Sequence, residues 1–142
     1  MRHIQRIQRT LLIGIVFAAA ACRGDGPTAP PPSPSVAGSY QLTTVDGQNL
    51  PVTVVDLGTY RASVASGTLT LSEDGTYLYT VGYQLDDGIN IRAQADSDAG
   101  TWTLTGGSIA LASTQSSFSL SGTVSDNVVR LQSTERLLVF RK

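Results

Sequence analysis

Residues 67–84 read GTLTLSEDGTYLYTVGYQ. Leu69 and Leu71 alternate with polar residues, and Glu73-Asp74-Gly75 then supplies a tight turn. After it Tyr77, Tyr79, Val81 and Tyr83 share one face, while Thr76, Leu78 and Thr80 share the other. A period of two on both sides of a turn is the signature of an antiparallel hairpin. Three tyrosines on one face form the heaviest aromatic concentration in the chain.

The same grammar extends in both directions. Upstream, residues 39–45 alternate into Asp46-Gly47, a turn pair that tolerates positive φ. A short strand follows Pro51 at 52–55, and a longer one at 60–71 breaks parity as a bulge near Gly67 would. Downstream, Asp86-Asp87-Gly88 is read as a turn into a strand at 89–95, with Arg92 solvated opposite Ile89 and Ile91. Asp96-Ser97-Asp98-Ala99-Gly100 is read as another turn. Residues 101–105 and 108–112 pair across Gly106-Gly107, and Phe118, Leu120, Gly122 and Val124 share a face. Asp126-Asn127 and Thr134-Glu135 introduce the last two strands. Adjacent apolar residues at Val128-Val129 and at 137–140 leave their inward face undecided by parity.

The prediction is an all-β domain over residues 38–142, an antiparallel meander of about eight to ten strands. Closure into a small barrel, first strand beside last, removes the exposed edges a flat meander would leave. A two-sheet sandwich is the rival architecture.

The N-terminal part reads differently. Met1–Thr10 carries Arg2, Arg6 and Arg9 without an acidic residue, and Leu11–Ala21 is almost pure hydrocarbon. Eleven residues are about half of the ~20 needed to span a bilayer. A basic start, a short apolar run and small residues are the parts of an export signal, assigned to residues 1–21. Residues 22–37 form a tether in which five of the six prolines fall between Pro27 and Pro34, favouring an extended polyproline path.

Ala19-Ala20-Ala21-Cys22 resembles the lipobox of bacterial lipoproteins. The resemblance implies cleavage before Cys22, a diacylglycerol on its sulfur and acylation of the new amino group. It implies a lipid-anchored protein of the bacterial cell envelope. With Arg23 after the cysteine, it points to the outer membrane where the organism has one. The residues alone also allow a secreted protein cut elsewhere in the alanine run. Gly38-Ser39-Tyr40-Gln41-Leu42, Gly67-Thr68-Leu69-Thr70-Leu71 through Tyr77, Gly100-Thr101-Trp102-Thr103-Leu104 and Leu138-Val139-Phe140-Arg141 together resemble small lipocalin-like or META-like β-domains. That likeness implies a small lipocalin-like β-barrel.

Removing residues 1–21 would take away His3, the only histidine, and lipidation would consume the only cysteine. His-based acid–base catalysis and cysteine nucleophiles then disappear. Glu73 and Glu135 lie in turns, and no serine has the setting of a nucleophile elbow. No catalytic set and no cofactor are predicted. Asp86-Asp87 and Asp96/Asp98 would lie at opposite ends of one strand and so not converge; they read as Asx-turn and solubilising residues, with weak calcium binding as the alternative. Seven basic side chains would remain against eleven acidic ones, a net of −4 that disfavours nucleic acid.

The candidate ligand pocket is Tyr77, Tyr79, Tyr83, Trp102 and Phe118, with core filling as the competing role. Two functions follow. In one the barrel binds a small apolar ligand or an envelope component. In the other a filled barrel contacts another envelope protein or a glycan. A cavity larger than about 300 Å³ beside the tyrosines separates the first from the second.

Overall fold

The computed structural model describes residues 35–142. The segment read as an export signal, Cys22 and the segment read as a tether up to residue 34 lie outside the described residues. Ten strands follow in chain order: β1 (Gly38–Val45), β2 (Gln48–Asn49), β3 (Val52–Asp56), β4 (Arg61–Leu71) and β5 (Thr76–Asp86). The second half adds β6 (Ile91–Thr105), β7 (Ser108–Ser113), β8 (Ser119–Ser125), β9 (Val128–Gln132) and β10 (Leu137–Arg141). The described residues contain no helix.

Pairing runs antiparallel from β4 through β10 to β1, and β1 returns to β4 through Gly38↔Leu71 to Gln41↔Thr68. This is the predicted closed barrel, with eight strands in the wall and the first beside the last. β2 and β3 are additions. Where β1 and β4 part company, β2 takes the free edge of β1 and β3 takes that of β4.

Three connections use two residues at positive φ: Asp46-Gly47, Gly106-Gly107 and Asp126-Asn127. That backbone matches the right-handed twist of the flanking strands, so these hairpins close without splaying. The bulge predicted near Gly67 falls between Val64 and Ser66.

One element differs from the sequence reading. Asp96–Gly100 is not a turn but the interior of β6, a 15-residue strand. β6 matches β5 residue for residue from Asp86↔Ile91 to Thr76↔Thr101, so the ladder passes straight through the Asp/Ser-rich stretch. Gly100 also has a different purpose from a turn glycine. A Cβ there would stand 2.0 Å from the Ala112 carbonyl oxygen, so the neighbouring backbone requires glycine in mid-strand.

Alternation places Leu42, Leu69, Leu71, Val81, Ile109, Leu111, Leu120, Val129, Leu131 and Phe140 in one buried interior cluster. It also decides the last strands, where Val129, Leu131, Leu138 and Phe140 point inward. Outside, Thr103, Ala110, Ser121 and Gln132 follow one another across the wall. Apolar within and polar without is the reverse of the pattern in bilayer-spanning barrels.

The two ends differ. The end bearing the β4–β5, β6–β7 and β8–β9 turns is packed by Val36, Tyr40 and Trp102. There the Tyr40 hydroxyl donates to the Val36 carbonyl, and Lys142 Nζ donates to the carbonyls of Ser35 and Ala37. The last three residues read as tether are thus fastened to the barrel. The opposite end carries the 114–118 and 133–136 loops and the extensions of β4, β5 and β6. It is open.

Candidate functional site

The open end encloses a cavity of about 560 Å³. Its walls are largely apolar: Leu42 and Val45 from β1, Val54 from β3, Val64 from β4, Val81 from β5 and Leu138 from β10. The cavity exists because β1 and β4 diverge there and the short β3 fills only part of the gap. Tyr79 and Tyr83 project from β5, and Phe118 comes from the loop before β8. The Tyr79 ring stacks on Phe118 with centroids 6.5 Å apart and meets Phe140 edge-on at 6.1 Å. These two contacts hold the Tyr79 ring at the cavity wall.

The cross-strand register puts two carboxylates on the same face as these rings. Asp98 lies opposite Tyr79, and Asp96 lies opposite Val81. Asp98 accepts hydrogen bonds from the buried Tyr77 hydroxyl and, at 2.5 Å, from Ser113 Oγ. Asp96 accepts one from Gln94 Nε2 at 3.2 Å. Across the mouth, Arg136 donates through Nη1 to Asp46 and through Nη2 to the Val54 carbonyl, both at 2.9 Å. These bonds hold the 133–136 loop to the β1–β2 turn and to β3.

Burial pushes the Tyr79 hydroxyl well above the usual phenol range, with Tyr83 and the Asp98 carboxylate adding to it. Burial raises Tyr83 too, assisted by Asp96. Tyr77 is driven up by burial, then by its hydrogen bond to Asp98 and that group's charge. All three phenols are therefore neutral donors at physiological pH. Among the described residues, neither the Tyr79 nor the Tyr83 hydroxyl bonds to a protein partner. Both are available to a ligand.

No protein-family model matches the chain, and no curated protein matches it in sequence.

Of the five candidate pocket residues, the fold brings Tyr79, Tyr83 and Phe118 together at the cavity. Tyr77, 3% exposed, belongs to the core and reaches the site only through its bond to Asp98. Trp102 is at the other end, where its Nε1 donates to the Ser72 carbonyl at 3.0 Å and its backbone N–H to that of Gly75. Asp96, Asp98 and Arg136 were not legible as cavity residues. The cue for the two aspartates is strand length: an eleven-residue β5 needs an equally long partner, and 91–101 is that partner.

Cys22 lies outside the described residues. Asp86 and Asp87 hold the β5–β6 turn, Asp86 Oδ1 accepting from the Gly88 N–H and Asp87 Oδ1 from those of Ile89 and Asn90. Arg92 is solvent-exposed and reaches Asp87 at 3.4 Å. Among the described residues no group of three or more His, Cys, Asp or Glu converges on a metal-sized site.

Proposed function

We propose that this chain is a lipid-anchored protein of the bacterial cell envelope that binds a small apolar molecule in the mouth of its barrel and does not transform it. The observation that carries this reading is the apolar cavity of about 560 Å³ beside Tyr79, Tyr83 and Phe118. That volume falls within the roughly 300–1,000 Å³ of small-molecule sites. Many apolar walls with a few convergent polar groups suit recognition. The lipobox-like Ala19-Ala20-Ala21-Cys22 supports the anchor, because two or three acyl chains give stable membrane attachment where one gives marginal binding.

Titration of the full chain with the neutral fluorophore N-phenyl-1-naphthylamine tests the site. Saturable binding is expected, weakened about tenfold or more when Val54→Trp fills the mouth. No saturation, or equal affinity in the variant, would sink the reading. Native mass spectrometry of protein purified from its own cells then gives the mass of the natural ligand. For the anchor, Cys22→Ala is expected to release the protein from the membrane fraction and lower its mass by the lipid. Unchanged mass and partitioning would refute it.

A second reading is contact with another envelope protein or a glycan. It is favoured by Leu57, Ile89 and Ile91, which are 72%, 89% and 71% exposed. The β3–β4 and β5–β6 turns adjoin, since the Gly88 position is within contact distance of the Thr59 carbonyl. Ile89→Ser with Ile91→Ser would abolish such contact without disturbing the fluorophore titration.

A further inference from the structure

We propose that the cavity selects molecules that combine an apolar body with one cationic group, such as an alkylamine or a quaternary ammonium. The inference rests on the binding reading above and adds the ligand's charge. Its basis is an imbalance in how the charges at the mouth are satisfied.

Three charged side chains line the cavity among the described residues: Asp96, Asp98 and Arg136. Arg136 is already neutralised by its ion pair with Asp46 at 2.9 Å. Neither aspartate has a cationic partner among the described residues. Asp98 is held by two neutral donors, Tyr77 and Ser113, which fix its position without cancelling its charge. Asp96 has one neutral donor, Gln94. Two carboxylates on one strand thus line a largely apolar cavity with no counter-charge, Asp98 half-buried and Asp96 exposed.

A bound cation would supply that counter-charge, and the site is furnished to hold one. Tyr79, Tyr83 and Phe118 line the cavity, and aromatic rings attract ammonium groups. The aliphatic walls opposite accept the hydrocarbon body. A fatty-acid carboxylate would instead bring a third negative charge to a mouth whose single guanidinium is engaged. The Tyr83 hydroxyl is raised by burial and then by Asp96, and the Tyr79 hydroxyl by burial, then Tyr83, then Asp98, which is consistent with both carboxylates lying beside these phenols.

Three probes with the same ten-carbon body test the proposal by calorimetric titration of the full chain: decyltrimethylammonium, decan-1-ol and decanoate. The ammonium is expected to bind about tenfold more tightly than the alcohol, with decanoate weakest. Raising salt from about 20 mM to about 300 mM should narrow the gap between ammonium and alcohol. Asp96→Asn should cut the ammonium-to-alcohol preference about threefold or more. Asp96 is exposed and outside the core, so this variant keeps the fold, which its circular dichroism checks. Alcohol or decanoate binding as tightly as the ammonium, or an unchanged preference in Asp96→Asn, would overturn the charge assignment and leave the cavity reading standing. If none of the three saturates a site, both fall.

Discussion

Gly122 is the position least able to change. A Cβ placed there would lie 1.7 Å from the Arg130 carbonyl oxygen and 3.0 Å from the Leu131 Cα, so β8 and β9 could not keep their ladder. Gly122→Ala is expected to cost about 3 kcal/mol or more, or to abolish folding, as read by urea unfolding. Gly58 provides the contrast. It has φ of +83°, but an added methyl would meet nothing within 4 Å. Gly58→Ala should therefore cost only the backbone strain, about 1–2 kcal/mol. Equal losses for the two variants would show that steric closeness is not what fixes Gly122. Sequence reading distinguishes these glycines poorly. Gly58 and Gly75 stand among turn residues and are recognisable. Gly100, preceded by Asp-Ser-Asp-Ala, carries the same local signals while lying inside a strand, because its constraint comes from the Ala112 carbonyl on the neighbouring strand.

Among the elements, the mouth depends on how β3 and the 133–136 loop are fastened. β3 has a ladder only with β4, and its other tie is the Val54 carbonyl, which accepts from Arg136. Arg136→Ala is expected to lower global stability by about 1 kcal/mol, since the ion pair it breaks is partly solvated. Its larger effect is local: amide exchange should accelerate across Val52–Asp56 and stay unchanged at Val129 and Leu131. Uniform acceleration would mean that Arg136 supports the whole barrel and not the mouth. The strands themselves were largely legible, because alternation, Asp-Gly and Gly-Gly are local chemistry. Tyr79, Tyr83 and Phe118 were legible for the same reason, as bulky residues on apolar faces. Arg136, Asp96 and Asp98 were not. Their roles depend on which strands become neighbours and in what register, and no window of adjacent residues encodes that.

For the whole molecule, four phenols report on packing together. Burial raises Tyr40, Tyr77, Tyr79 and Tyr83 above the ordinary phenol range. A raised value in the folded state means that folding favours the protonated form. The associated stability is intact below pH about 10, where unfolded tyrosine begins to ionise, and is lost as the pH climbs from there. Urea midpoints should therefore be flat between about pH 8 and pH 9.5 and fall steeply above about pH 10. A midpoint that stays level to about pH 11 would show these hydroxyls to be as accessible in the barrel as in the unfolded chain.

The seam between β1 and β10 sets a schedule as well as a shape. Leu42 pairs with Phe140, so one wall of the barrel joins segments 98 residues apart, whereas β1 meets β4 across a span of about thirty. Contacts that distant are slow to form, because a long loop must be ordered before they repay it. A chain emerging from a ribosome or a membrane pore can assemble its hairpins one by one as they appear. Its first strand must nevertheless wait, one edge unpaired and open to other chains, until the last strand arrives. Completion is a late event, and the interval before it is when this chain's unpaired edge is open to aggregation.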